Sequence, residues 1–180
     1  MDNLIKIQKF SKNFRLLISI LIVAIPLYYI VYWSCINQLP ARLISVNTQP
    51  TSLAPHNLPI KLQVIGFIAS LFPLSALIYG LVNIRKLFSY YREGVIFSFE
   101  LVTIFKNTAK ALVLWVALSM IYESIKTVLF TLGNPPGSRV IDIEFGSAEI
   151  TPLLVGCIVF VIARVMDEGR ILFEENKLTV

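Results

Sequence analysis

The sequence is poor in the residues that catalysis and metal binding usually need. Its 180 residues include two cysteines and one histidine, and only 15% carry a charge. Cys35 and Cys157 both stand inside apolar segments, where they are expected to pack as small apolar side chains rather than to form a disulfide framework. His56 has no neighbouring Cys, Asp or Glu. We therefore predict no metal site, no cofactor and no histidine-based catalysis.

Familiar active-site motifs are missing as well. The sequence has no phosphate-binding glycine loop, no G-x-S-x-G turn and no H-E-x-x-H motif. An enzyme is therefore the least favoured class of function. The net charge of +5 would indicate nucleic-acid binding if the basic residues formed one patch, but they are spread between apolar segments. We expect no direct contact with nucleic acid.

Long apolar segments dominate the sequence. Hydrophobic residues make up 56% of it and the mean hydropathy is +0.75, too apolar for the surface of a water-soluble domain. The segments predict an all-α membrane protein, a single domain over residues 1–180 with four transmembrane helices. The predicted spans are residues 16–36, 62–84, 108–132 and 150–165. A Pro-rich turn at residues 133–137 joins the last two spans. The outer loops are predicted to be short, and the alternation of apolar and polar residues at 139–145 predicts one short strand there.

Basic residues predict the orientation of these spans. Twelve of them flank one side of the predicted spans and three flank the other. Since basic flanks face the cytoplasm, both termini and the loop 85–107 are predicted to be cytoplasmic. The twelve are Lys6, Lys9, Lys12, Arg15, Arg85, Lys86, Arg92, Lys106, Lys110, Arg164, Arg170 and Lys177, and the three are Arg42, Lys61 and Arg139.

The third span contains two charged residues, Glu123 and Lys126. At a spacing of i and i+3 on a helix they are able to neutralise each other. Ionisable groups at membrane depth often line a cavity or an ion path. The alternative is an ion pair at the outer interface, and the sequence leaves both interpretations open.

A short repeat predicts that the halves 1–100 and 101–180 are two tandem helical hairpins. EGVIFSFE at residues 93–100 recurs as EGRILFEE at residues 168–175, each time just after an apolar span. Chance similarity between two helix ends is the alternative. Gly94 and Gly169 are expected either to end a helix in the left-handed conformation or to belong to a docking motif. Ser98 would then cap the next helix.

The same two segments carry a family resemblance. YREGVIF at residues 91–97 and EGRILFEENKLTV at residues 168–180 are similar to the two signatures of a bacterial membrane family, domain-of-unknown-function family 2975. The resemblance implies four transmembrane helices in the bacterial inner membrane. It also implies genes that often lie beside small helix-turn-helix regulators, and it brings no catalytic residues.

Two functions follow as hypotheses. The first is a non-enzymatic interaction or regulatory module in the lipid bilayer, whose cytoplasmic face binds a protein partner or a second copy of the chain. The second is a small transporter or channel subunit with Glu123 and Lys126 near an outer cavity. The residues expected to form the interaction face are Glu93, Gly94, Glu168, Gly169, Glu174 and Glu175.

Overall fold

Four long α-helices make up most of the chain that the structure describes. The structure, a computed structural model, describes residues 2–40, 44, 57–95, 98–133 and 147–178. The helices are α1 (Asp2–Ser34), α2 (Ile60–Arg92), α3 (Phe99–Thr131) and α4 (Ser147–Leu178). The predicted strand at residues 139–145 lies outside the described residues.

Each helix is longer than a bilayer requires. α1, α2 and α3 have 33 residues and α4 has 32. At 1.5 Å per residue they are about 50 Å long, against a hydrocarbon core of about 30 Å. All four are long and apolar enough to cross a membrane, which confirms the predicted all-α architecture.

The helices form an open layer in chain order. α1 packs on α2, α2 on α3 and α3 on α4, and among the described residues no other pair of helices packs backbone to backbone. Phe14 of α1 lies beside Phe88 of α2, and Trp33 lies over Gly66, so these two helices are antiparallel. Lys106 of α3 meets Asp167 of α4, and Leu112 of α3 lies nearest to Gly156, so the second pair is antiparallel too. The predicted pair of tandem hairpins is thus present.

Small side chains on α2 let its neighbours approach closely. Gly66, Ser70, Ala76 and Gly80 are all buried in one stripe along the helix. A Cβ atom at Gly66 would overlap the six-membered ring of Trp33, and one at Gly80 would lie 3.3 Å from the Cβ atom of Ala111. The small-x-x-x-small pattern of α2 therefore places α1 and α3 against it.

The layer has two ends, which we name by their contents. The tyrosine end holds the last turns of α1 and α3 and the first turns of α2 and α4. The terminal end holds the first turns of α1 and α3 and the last turns of α2 and α4.

Two predictions need adjustment. Most of the predicted loop 85–107 is helical, because nothing between Arg85 and Arg92 breaks α2 and the connection to α3 needs only residues 93–98. Both cysteines are free thiols, but Cys157 is exposed on the outside of α4 instead of packing against another helix.

Candidate functional site

Gly94 ends α2 at the terminal end. Its φ of +78° is in the left-handed region, where glycine avoids the clash that a Cβ would cause. The Gly94 N–H donates to the Tyr91 carbonyl at 3.2 Å, and the Val95 N–H donates to the Tyr90 carbonyl at 3.1 Å. These two hydrogen bonds form a Schellman motif, which satisfies carbonyls that the helix end leaves open. The helix-ending interpretation of Gly94 is therefore correct.

Ser98 begins α3 directly after that turn. Its hydroxyl accepts a hydrogen bond from the Leu101 N–H at 3.3 Å, and Glu100 lies in the first turn, where a carboxylate complements the helix dipole. The predicted cap is therefore present, and together the two motifs reverse the chain within six residues.

Gly169 behaves differently from Gly94. It lies inside α4, which continues to Leu178, and among the described residues Gly94 alone combines glycine with a positive φ. The expectation that Gly169 ends a helix is wrong. The residues after it are mostly good helix formers, so α4 continues through this position. The two Glu-Gly segments are alike in sequence but not in local structure.

Ionic contacts join α3 and α4 near Gly169. The Lys106 ammonium lies 3.0 Å from one carboxylate oxygen of Asp167, and the Arg170 guanidinium lies 3.3 Å from the other. Arg170 also stacks over the ring of Phe99 at 5.8 Å, a cation–π contact with the first turn of α3. One carboxylate thus holds two cations and binds the last turns of α4 to the start of α3.

Aromatic contacts join α1 and α2 at the same end. The ring of Phe14 lies 4.3 Å from Phe10 and 5.3 Å from Phe88, measured between centroids. Phe88 also meets Tyr91 edge to face at 6.3 Å. These rings continue the α1–α2 contact beyond the charge-free segments of both helices.

The predicted interaction residues lie at the terminal end but do not form one cluster. Glu93, Gly94, Glu168 and Glu175 are exposed, and Gly169 is half-buried. The side chain of Glu174 lies outside the described residues. The start of α3 stands between the two segments, because α2 and α4 each pack on α3 and not on each other.

A buried lysine marks the tyrosine end. Lys126 of α3 is 4% exposed, and its ammonium lies 2.5 Å from the carboxylate of Glu123, whose side chain is 48% exposed. The same ammonium lies 5.5 Å from the centre of the buried Tyr122 ring. Glu123 and Lys126 therefore form the predicted pair, in which the cation is inside and the anion faces outward.

Two tyrosines of α1 lie beside Tyr122, the neighbour of this pair. Tyr29 and Tyr32 pack against the apolar cluster that contains Trp33 and Tyr122. Tyr32 meets Trp33 edge to face at 5.8 Å, and Trp33 packs in one apolar cluster with Tyr122. An apolar groove of about 290 Å³ opens beside Trp33 between α1 and α2, and its lining contains neither Glu123 nor Lys126.

Metal-binding groups are scarce in the part of the chain that the structure describes. No three His, Cys, Asp or Glu side chains come together there to hold an ion. His56 lies outside the described residues.

Comparison with known protein families settles the relationship. Residues 47–180 match the family described as protein of unknown function (DUF2975), which is well over half of the chain. The chain belongs to the DUF2975 family. Neither the curated proteins nor the solved structures give a match.

The match to DUF2975 covers α2, α3 and α4 in full and begins after α1. The capped turn at Gly94, the Asp167 contacts and the Glu123–Lys126 pair all lie inside the matched region, whereas Tyr29, Tyr32 and Trp33 precede it. One of the four helices that form the tyrosine end of this DUF2975 protein thus lies outside the match.

Neither the ion pairs of Asp167 nor the packing of Trp33 on Gly66 was predicted from the sequence. Asp167 and Arg170 have the i, i+3 spacing of a helical ion pair, a signal that was available. The third member, Lys106, lies 61 positions away and is found only from the packing of α3 on α4.

Proposed function

We propose that this DUF2975 protein is a non-enzymatic interaction or regulatory module, whose terminal end faces the cytoplasm and binds a protein partner. The observation that carries the proposal is a set of helix ends that extend past the charge-free segments and remain joined to one another. We call these ends, together with the described residues of the turn between α2 and α3, the helical platform: residues 2–15, 85–95, 98–110 and 164–178.

The length of the platform supports this proposal. Charge-free segments of the four helices end near Arg15, Arg85, Lys110 and Arg164. At 1.5 Å per residue, the helices continue beyond these residues for between about 10 and 21 Å. That reach exceeds what spanning the bilayer needs, and it would place folded helical surface in the aqueous phase.

The contacts within the platform support it too. Phe14 and Phe88 join α1 to α2, the Gly94–Ser98 turn joins α2 to α3, and Asp167 joins α3 to α4. A surface held in one arrangement loses less conformational freedom on binding than loose tails do. The exposed acidic residues Glu93, Glu100 and Glu168 give this surface a charge pattern that a partner could read.

The cytoplasmic orientation and the bacterial inner membrane belong to the same proposal. Twelve basic residues flank the terminal end and three flank the tyrosine end. Labelling of single cysteines tests the orientation, in a Cys35→Ser, Cys157→Ser background. Glu93→Cys should react with an impermeant maleimide only after cells are opened, and Asn57→Cys should react in intact cells. The reverse pattern would contradict the orientation.

In-cell crosslinking followed by affinity capture tests partner binding. The variant Glu93→Lys, Glu168→Lys reverses two exposed charges of the platform and leaves Gly94, Gly169 and the N-cap residue Ser98 unchanged. Lys61→Glu, an exposed reversal at the tyrosine end of α2, is the matched control. We expect a stoichiometric partner, or a second copy of the chain, to be lost only in the platform variant. Equal capture by all three proteins would contradict a role for these residues.

A transporter or channel subunit is the second candidate. It is favoured by the buried ammonium of Lys126, an expensive group to place in an apolar helix layer. The four described helices pack only on their neighbours in an open layer and enclose no pore among themselves, so this function would require several copies of the chain. Flux in proteoliposomes that disappears in Glu123→Gln would support it, and unchanged flux would remove Glu123 from the mechanism.

A further inference from the structure

Five basic side chains lie at nearly one level across the four helices, where the platform begins. We call them the basic belt: Arg15 of α1, Arg85 and Lys86 of α2, Lys110 of α3 and Arg164 of α4. Arg15 is half-buried and the other four are exposed. The ion pairs among the described residues involve Lys106, Lys126 and Arg170 as cations, and none of the five.

The common level follows from contacts between neighbouring helices. Phe14 stacks on Phe88, which places Arg15 within about two residues of Lys86 along the axis. Gly80 meets Ala111, and counting five residues along each antiparallel helix brings Arg85 level with Lys106.

The remaining two members follow from the same counting. Lys110 lies four residues, or about 6 Å, closer to the middle of the layer than Lys106, a distance that its own side chain can span. Arg164 precedes Asp167, the partner of Lys106, by three residues, or about 4.5 Å. The belt therefore occupies a band about 9 Å deep, from Arg15, which lies level with Leu87, to Lys110.

We propose that the basic belt binds the phosphate groups of anionic phospholipids and thereby fixes how deep the chain sits in the bilayer. The charge-free side of the belt is apolar helix, so the belt lies where the hydrocarbon region ends and headgroups begin. Five cations that have no acidic partner among the described residues suit a row of phosphates better than a neutral zwitterionic surface. The nearby rings of Phe10 and Phe14, both exposed, suit the same interface. This inference does not depend on the platform having a protein partner.

The test uses two arginines of α2 as a matched pair. Arg85 and Arg92 are both exposed and lie seven residues apart, so they share one face of the helix, with Arg92 about 10 Å beyond the belt. Wild type, Arg85→Gln and Arg92→Gln are reconstituted in phosphatidylcholine vesicles with increasing fractions of phosphatidylglycerol. Mass spectrometry then counts the phosphatidylglycerol molecules that each isolated protein retains.

We expect wild type to retain phosphatidylglycerol in preference to phosphatidylcholine. Arg85→Gln should lower the apparent affinity about fivefold, while Arg92→Gln changes it little. Arg85→Lys should retain the binding, because a headgroup contact requires the charge rather than the guanidinium shape. No preference in wild type, or equal losses in Arg85→Gln and Arg92→Gln, would overturn the proposal. Adding inorganic phosphate should leave the retained lipid unchanged, and displacement by phosphate would also overturn it. Helix content measured in phosphatidylcholine alone shows that each variant is folded.

Discussion

The two ends of the helix layer are held together by different physical means. At the tyrosine end, Trp33 packs on Gly66 and a buried lysine is neutralised within its own helix. At the terminal end, the partly exposed carboxylate of Asp167 holds two cations, and a glycine turn connects α2 to α3. Close packing leaves no space for added atoms, whereas exposed ionic contacts are weak and replaceable. The tyrosine end should therefore be the less tolerant of substitution.

Gly66→Ala is expected to have the largest effect, because the new Cβ would overlap the ring of Trp33. Overpacking of this kind costs about 3 kcal/mol. The measurement is the midpoint of thermal unfolding in detergent together with tryptophan emission, which should shift as Trp33 is displaced. Gly133→Ala is the control, since a Cβ there meets nothing within 4 Å. An unchanged midpoint in Gly66→Ala would show that the contact between Trp33 and α2 is loose.

Removing the negative charge of the Glu123–Lys126 pair should have the next largest effect on stability. Glu123→Gln leaves the buried Lys126 ammonium without its counter-charge and should cost about 2 kcal/mol, less than for a fully buried pair because Glu123 is half exposed. Lys126→Met removes the buried charge at similar length and should be nearly neutral.

The double variant sharpens this prediction. Glu123→Gln combined with Lys126→Met should unfold at the same temperature as Lys126→Met alone, since no buried charge remains. If Lys126→Met is instead the more damaging single change, the ammonium has a further role that the contacts with Glu123 and Tyr122 do not explain.

Replacing the glycine by alanine should change stability in opposite directions in the two Glu-Gly segments. Gly94→Ala puts a Cβ at φ +78° and should cost about 1 kcal/mol. Gly169→Ala replaces a glycine inside α4 and should stabilise the helix by up to about 1 kcal/mol. Thermal unfolding of both variants under the same conditions measures the difference. Equal destabilisation would mean that the segments are structurally equivalent after all.

The smallest expected effect is at the Asp167 contacts. Asp167→Asn removes the charge that Lys106 and Arg170 share, and because these side chains are between 19% and 33% exposed, solvent screens the ion pairs and the loss of stability should be small. Added salt should reduce the difference in unfolding temperature between wild type and the variant, because salt screens the ion pairs. A difference in unfolding temperature that does not depend on salt would indicate a packing role for Asp167 instead.

The sequence predicts the helices better than it predicts their contacts. Charge-free runs mark the four spans, and Gly94 followed by Ser98 marks a turn, because each of these signals acts within a few residues. α3 is apolar around most of its circumference, so no polar face indicates which side meets α2 or α4. The pairing of Lys106 with Asp167 and the position of Trp33 over Gly66 depend on helix rotation and register, which hydropathy leaves undetermined. Gly169 was misread because its similarity to Gly94 outweighed the helix-forming residues after it.

The packing of each helix on its neighbours in the chain also has a consequence for folding during synthesis. Each helix contacts the one synthesised just before it, and within the described residues none depends on a backbone contact with a later, distant helix. α2 is able to dock on α1, α3 on α2 and α4 on α3 as each emerges, so docking of the described helices is expected to keep pace with synthesis. The side-chain packing of Trp33 with Tyr122 is completed once α3 has emerged.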